Sequence, residues 1–193
     1  MASNNLLTKT PAWTSFEKKD AITVQDYLAL SQIVARLFDA MGTLALLYVK
    51  KDISTNIKSI QDVAASSPPT LVGFLAKEEA AGRGPTYQPK YCPLKSYVWL
   101  KRTLELVCET FHQWLTTQNE LPACMKAAYE LTLSPHHYPM ERNAFGMALS
   151  YAPTRDYFHK RIGKPSDAEI AAFYDGLKRA LAVFPHYTHV TRG

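Results

Sequence analysis

The chain of 193 residues predicts an all-α protein. Apolar residues recur at helical spacing along most of its length, twelve prolines divide it into segments, and no β-hairpin signal lies between them. The length suits one domain with a core large enough to enclose a pocket, so we expect a single domain over residues 1–193.

The first two helices are predicted from apolar periodicity and capping residues. Asp20 is suited to cap a helix over residues 21–41, which Gly42 ends. After a short irregular stretch, Asp52 is suited to cap a second helix that runs to about Ala65.

Prolines, glycines and a second type of cap define the later elements. The Gly- and Pro-rich stretch over 82–89 is predicted to be a loop, and Ser166-Asp-Ala-Glu169 is a capping box for the last helix. The other helices are predicted over roughly 70–81, 93–118 and 122–133, then from a turn at 134–139 to Tyr151, from Pro153 to about Gly163, and from the capping box to about Phe184.

The composition excludes several classes of protein. The net charge of +5 is spread over scattered Lys and Arg doublets, whereas a nucleic-acid-binding domain needs a concentrated basic face. Such a charge favours ordinary solvated surface or weak attraction to anionic membranes. No apolar stretch is long enough to span a membrane, the N-terminus lacks a signal-peptide core, and three cysteines without a Cys-x-x-Cys pair are typical of free thiols. We therefore expect a cytoplasmic protein that binds no nucleic acid.

Catalytic and metal-binding motifs are missing from the sequence. It contains no Gly-x-Ser-x-Gly elbow, no phosphate-binding glycine loop and no His-Glu-x-x-His. His136 and His137 have no further His, Cys or carboxylate ligands at recognisable metal-ligand spacing, and His186 and His189, three residues apart, are a lone pair. A Cys-His or Asp-His pair could still assemble in space, but we expect no enzymatic activity, no cofactor and no metal.

Asp52 and Asn56 form the first candidate binding pair. They are four residues apart, so on a helix they share one face, while Ile53 and Ile57 hold the neighbouring face against a core. A carboxylate accepts hydrogen bonds and an amide both accepts and donates them, which suits a ligand with several hydroxyl and amide groups. The plain alternative is that Asp52 only caps its helix and that Asn56 is a polar surface residue.

Trp99 and His137 are the next candidates. Trp99 lies about 200° from Tyr97 around the predicted central helix, at or beyond the edge of the apolar stripe. Such a tryptophan either belongs to the core or offers its face to the C–H-rich side of a sugar. His137 lies in a Pro-bounded turn, where the pattern alone indicates an ordinary turn histidine.

Several fragments follow one another along most of the chain. They are Leu37-Phe38-Asp39-Ala40-Met41-Gly42, Asp52-Ile53-Ser-Thr-Asn56-Ile57, Trp99-Leu100-Lys101-Arg102-Thr-Leu104, His137, and Ala148-Leu149-Ser-Tyr-Ala152-Pro153. In this order and at these separations they resemble the signature of the glycolipid transfer protein family. The resemblance implies an all-α, two-layer helical sandwich, with a polar headgroup site at the surface and an internal apolar tunnel for ceramide chains.

The resemblance also implies a role for each matched residue. Asp52 and Asn56 would bind the first sugar and the ceramide amide, Trp99 would stack on the sugar ring, and His137 would contact the amide carbonyl. The implied function is non-enzymatic transfer of glycosphingolipids between membranes, by a monomer that touches the membrane surface transiently.

The resemblance assigns the family's basic residue and the tunnel residues less directly to positions of this sequence. The family's basic residue one turn beyond the asparagine falls at Ser59, and Lys58 beside it is the candidate for that role. The apolar residues near the matched motifs are expected to form the tunnel wall or the ordinary core, namely Phe38, Leu46, Val49, Phe145 and Leu149.

Two alternatives stay open. The ceramide phosphate branch of the superfamily carries a lysine at the asparagine position, an arginine at the tryptophan position and another arginine one turn on. This chain has Asn56, Trp99 and Thr103 there, which suit a neutral sugar better than a phosphate. The other alternative is a lipid sensor or helical adaptor without transfer activity, because Pro139 replaces the family's docking aromatic, with Tyr138 beside it.

Overall fold

The computed structural model describes residues 5–83 and 92–187. Within these ranges the regular elements are helical: short 3-10 helices at Leu6–Lys9, Trp13–Phe16, Lys19–Ala21 and Ser134–His136, and eight α-helices. The α-helices are α1 (Val24–Met41), α2 (Leu44–Ala64), α3 (Leu71–Ala80), α4 (Pro93–Thr116), α5 (Leu121–Leu131), α6 (Pro139–Ser150), α7 (Arg155–Arg161) and α8 (Asp167–Val183).

Several predicted helix ends are confirmed. Gly42 follows α1 with a φ of 69°, a left-handed conformation that glycine adopts without a steric penalty. The capping box at the start of α8 is present, since Ser166 accepts from the backbone N–H of Glu169 and Glu169 accepts from that of Ser166. The loop predicted over 82–89 falls mostly on residues 84–91, which lie outside the described ranges.

The predicted starts of the first two helices are wrong. α1 is capped by a box between Thr23 and Asp26, while Asp20 belongs to a short 3-10 helix. α2 begins at Leu44 and not at Asp52. The eight residues from Leu44 to Lys51 include no helix breaker and are mostly good helix formers, so the helix starts two turns before the single capping signal that Asp52 offers. Asp52 therefore presents its side chain from the body of a helix.

α4 is the central element of the structure. It packs against α2, α5 and α8, and residues on nearly all of its sides are buried, including the charged Lys95, Lys101 and Arg102. α2 contacts α6 as well as α4. None of the helices within the described ranges has both the length and the hydropathy of a membrane span.

Candidate functional site

A cavity of about 420 Å³ opens between α2, α4, α6 and the turn that precedes α6. It is large enough for a small-molecule ligand, and its wall is mostly apolar with a few polar groups, as is usual for ligand sites. The residues that line it are Ala45, Tyr48, Val49, Asp52, Ile53, Trp99, Thr103, Leu133, His137, Met140, Glu141, Ala144, Phe145 and Ala148.

α2 contributes Asp52 to the cavity and Asn56 to its support. Asn56 is 2% exposed and lies one turn beyond Asp52. Its Nδ2 donates to the main-chain carbonyl of Asp52 at 2.9 Å and to Oδ2 of Asp52 at 3.1 Å. The structure therefore brings the two residues together as the spacing predicted, with Asp52 in the cavity wall and Asn56 bonded behind it.

α4 contributes Trp99, which is almost completely buried at 4% exposure. Its ring stacks on the ring of His137, with centroids 5.5 Å apart and planes at 23°. The guanidinium carbon of Arg102 lies 4.8 Å from the centre of the Trp99 ring, within the range of a cation–π contact. Trp99 is thus both a core residue and a cavity residue, and a sugar can stack on its face only if His137 or Arg102 shifts.

The turn before α6 contributes His137, which is held from several sides. Nδ1 of its imidazole lies 2.9 Å from the hydroxyl oxygen of Tyr129 on α5. Arg142 Nε donates to the main-chain oxygen of His137 at 2.9 Å, and the ring of Phe145 meets the imidazole edge-on at 5.4 Å. This buried and packed histidine differs from the ordinary turn histidine that the local pattern indicates.

Lys58 is not brought to the cavity. It is more than one turn from Asp52 and points to another side of α2, where Nζ pairs with Asp62 at 2.8 Å. Its side chain is 73% exposed. The structure therefore separates Lys58 from Asp52, Trp99 and His137.

The five apolar candidates divide into three groups. Val49 and Phe145 line the cavity, whereas Leu46 and Leu149 are buried in the core and are not part of its wall. Phe38 lines a second, inner cavity of about 10 Å³ between α1, α4, α5 and α7. That volume holds about one water molecule, so this inner cavity is too small for an alkyl chain.

The charged residues that line the main cavity are both acidic, namely Asp52 and Glu141. Glu141 also accepts from the backbone N–H of Tyr138 at 3.0 Å and so caps α6. Neither lysine nor arginine is part of the cavity wall in the described ranges. The wall itself therefore carries acidic side chains, while the guanidinium of Arg102 lies next to it against the ring of Trp99.

Sequence reasoning named Phe145 on α6 but missed the other cavity residues of that helix. Glu141, Ala144, Phe145 and Ala148 recur at intervals of three and four residues, which places them on one helical face. The spacing could have indicated a shared face, but the face includes small and charged residues and so does not form a continuous apolar stripe. The sequence alone therefore indicated Phe145 but not its neighbours on this face as cavity wall.

Large apolar side chains are exposed on the two helices beside the cavity. Leu44, Leu47 and Tyr48 on α2 are 85%, 50% and 76% exposed, and Met140 and Met147 on α6 are 81% and 64% exposed. Tyr48 and Met140 also belong to the cavity wall. Clustered apolar exposure of this kind typically marks a surface that contacts a partner or a membrane.

Comparisons with known proteins identify the fold and the family. Residues 22–164 match the glycolipid transfer protein (GLTP) family. A glycolipid transfer protein of Aureobasidium melanogenum is 31% identical over 145 residues, which cover 74% of this chain and 69% of that relative.

Solved structures give the same fold. The apo form of the mouse ceramide-1-phosphate transfer protein superposes with a TM-score of 0.80 at 16% identity, over 93% of each chain. The structure that explains how FAPP2 selects simple glycosphingolipids with the GLTP fold superposes with a TM-score of 0.74 at 22% identity, over 93% of this chain and 89% of that one. These matches confirm the predicted all-helical, two-layer fold. The chain belongs to the glycolipid transfer protein family, whose members are lipid transfer proteins.

Proposed function

We propose that this protein transfers glycosphingolipids between membranes without chemical change, as a cytoplasmic monomer. The sugar and the ceramide amide would occupy the cavity between α2, α4 and α6. The proposal is supported by the family membership, by the size of the cavity and by the name of the relative from Aureobasidium melanogenum.

The observation that carries the choice of headgroup is the acidic charge of the cavity wall. A phosphate group placed there would face Asp52 and Glu141 without a lysine or arginine in the described wall. Two unit charges of like sign 4 Å apart repel by about 4 kcal/mol at an effective dielectric constant of 20. A neutral sugar avoids this repulsion, and its hydroxyl groups can donate to the carboxylates.

The polar side chains have complementary roles in this proposal. Asp52 would accept from sugar hydroxyls or from the ceramide N–H, with Asn56 fixing its orientation. His137 would contact the amide carbonyl. Trp99 would offer a stacking face once Arg102 moves aside, since His137 is held by Tyr129 and Phe145. We leave Lys58 out of the headgroup site because its pair with Asp62 lies on another side of α2.

The alkyl chains would enter the core beside the inner cavity. Each buried CH₂ contributes about 0.8 kcal/mol, so chains of ordinary length supply much of the binding free energy. The inner cavity holds about 10 Å³ without ligand. Chain entry would therefore require the side chains around Phe38 to move apart.

The exposed apolar residues on α2 and α6 would contact the membrane during uptake and release. They flank the cavity, so a lipid could pass from the bilayer into the site without crossing water. Aromatic and long apolar side chains favour the membrane interface, and the exposed Lys51 on α2 adds attraction to anionic lipids.

Transfer of labelled galactosylceramide and labelled ceramide phosphate between vesicles, measured side by side, tests the proposal. We expect transfer of galactosylceramide at a rate at least tenfold above that of ceramide phosphate, as about 1.4 kcal/mol of discrimination gives. Faster transfer of ceramide phosphate would contradict the headgroup argument. Binding of galactosylceramide without any transfer would favour the sensor alternative.

A further inference from the structure

The hydroxyl of Tyr129 lies within hydrogen-bonding distance of the His137 ring. Tyr129 is 1% exposed, and its oxygen lies 2.9 Å from Nδ1 of His137. The proton between the two atoms can belong to either of them. Its position decides whether His137 carries its own proton on Nδ1 or on Nε2.

Three features favour a proton on Tyr129 that is donated to Nδ1 of His137. Burial raises the pKa of Tyr129 to about 12, so its hydroxyl is protonated at neutral pH. The side chain of Ser134 hydrogen-bonds to Tyr129 and the positive charge of Arg142 lies nearby, and both lower the pKa of the phenol and make it a better donor. Neutral imidazole in water already prefers the tautomer with its proton on Nε2.

The ring of His137 has little freedom to escape this hydrogen bond. Trp99 stacks on one side at 5.5 Å, and Phe145 packs at 5.4 Å. Arg142 Nε holds the main-chain oxygen of His137. A histidine fixed in this way presents a constant tautomer to the cavity, whereas a mobile one would divide its population between two tautomers.

We propose that Tyr129 is a positioning residue, with Ser134 behind it, which keeps the proton of His137 on Nε2 so that this nitrogen donates to a carbonyl oxygen of the bound lipid. The proposal rests on the proposed function. The new proposal extends the proposed function by assigning the direction of the hydrogen bond from His137 to the lipid and the residues that fix this direction. An amide carbonyl only accepts, so the opposite tautomer would place a lone pair against it.

The tautomer can be measured on ¹⁵N-labelled protein without ligand, from the ¹⁵N chemical shifts of the two imidazole nitrogens. We expect wild-type His137 to show a protonated Nε2 and an unprotonated Nδ1. Tyr129→Phe should move both shifts towards an average of the two tautomers. Tyr27→Phe is the matched control, because it also removes a buried hydroxyl, which donates to the main-chain oxygen of Tyr97 at 2.7 Å, and should leave His137 unchanged.

Transfer of galactosylceramide gives the second measurement. Tyr129→Phe should lower the rate about fivefold, the factor that one neutral hydrogen bond gives. In a His137→Gln background, where the side-chain amide has no tautomer to fix, the same change should alter the rate by less than about twofold. Equal losses in both backgrounds would overturn the positioning role.

The two measurements separate the possible failures. A wild-type His137 with its proton on Nδ1, or ¹⁵N shifts that Tyr129→Phe leaves unchanged, would overturn this proposal even if glycolipid transfer is confirmed. A wild-type protein that transfers no galactosylceramide would overturn the proposed function, and with it the ligand contact of Nε2. The ¹⁵N shifts would still decide whether Tyr129 fixes the tautomer.

Discussion

Asn56 directs its amide nitrogen at Asp52, reaching both the main-chain carbonyl at 2.9 Å and the carboxylate Oδ2 at 3.1 Å. The amide therefore orients a carboxylate that lines the cavity. A buried amide that is bonded to a carboxylate restricts the rotamers of both side chains, so the direction in which Asp52 accepts hydrogen bonds is set before a ligand arrives.

Asp52→Asn should lower the rate of galactosylceramide transfer by about tenfold or more. Hydrogen bonds to a charged acceptor contribute about 1.5–3 kcal/mol, and the substitution removes the charge while keeping the shape. Asp62→Asn on the same helix is the control, since Asp62 is exposed and pairs only at the surface with Lys58. Equal rates for Asp52→Asn and wild type in the vesicle assay would contradict the role of Asp52.

Trp99→Ala should lower both the stability and the rate of transfer. Removing a buried tryptophan costs about 3–5 kcal/mol, which is measured as a lower melting temperature. Trp114→Ala is a matched control, because Trp114 is 3% exposed and also lies under an arginine, with the guanidinium carbon of Arg155 at 4.2 Å. Both variants should melt earlier, and at a temperature where both are folded only Trp99→Ala should lose transfer. Equal transfer by the two variants would indicate that Trp99 serves only as a core residue.

Thr103→Arg should shift selectivity towards ceramide phosphate. Thr103 lines the cavity one turn beyond Trp99. An arginine there would add a cation to the cavity wall, which has no lysine or arginine among the residues that the structure describes. We expect the ratio of ceramide phosphate to galactosylceramide transfer to rise about tenfold, as a charge-assisted hydrogen bond to phosphate allows. Thr116→Arg adds the same charge at an exposed position of α4 and should leave the ratio unchanged. A ratio that rises equally in both variants would indicate a general effect of charge on membrane binding.

Local sequence patterns predicted the site's helical pair but not its packing. The spacing of Asp52 and Asn56 was sufficient to place them side by side, because a helix fixes which residues share a face. The predicted start of α2 is wrong because the prediction gave one capping residue, Asp52, more weight than the eight preceding residues, which form a helix readily. A single N-cap contributes about 1 kcal/mol to helix stability, which is less than the combined helix propensity of the eight preceding residues.

The contacts of Trp99 depend on tertiary structure and could not be predicted from the pattern of its own helix. α4 is buried on nearly all sides, so its apolar stripe does not single out the face that lines the cavity. The stack between Trp99 and His137 joins residues on separate elements. The resemblance to a family named both residues, whereas their mutual contact became visible only when α4 and the turn before α6 were placed together.

Acid should weaken the protein partly through Glu169. Hydrogen bonds from the backbone and side chain of Ser166, together with one from Asn5, hold the pKa of Glu169 below its usual range. A carboxyl group with a lowered pKa in the folded state stabilises the protein above its unfolded pKa, and this stability is lost as the pH falls through the folded value. Wild type should therefore exceed Glu169→Gln in unfolding free energy at neutral pH, and denaturant titrations should show the difference shrinking below about pH 4.3.

Leu47→Glu should slow transfer between vesicles without weakening the binding of galactosylceramide in detergent micelles. Leu47 is half exposed on α2 beside the cavity, and a charge there would oppose insertion of the apolar surface into a bilayer. Ser54→Glu is the control, because it adds the same charge to the same side of α2 two turns further on, about 10 Å along the helix. We expect vesicle binding, measured by sedimentation, to fall for Leu47→Glu and to stay near the wild-type value for Ser54→Glu. Unchanged sedimentation of Leu47→Glu would exclude this part of α2 from the membrane contact and would leave α6 as the surface to test.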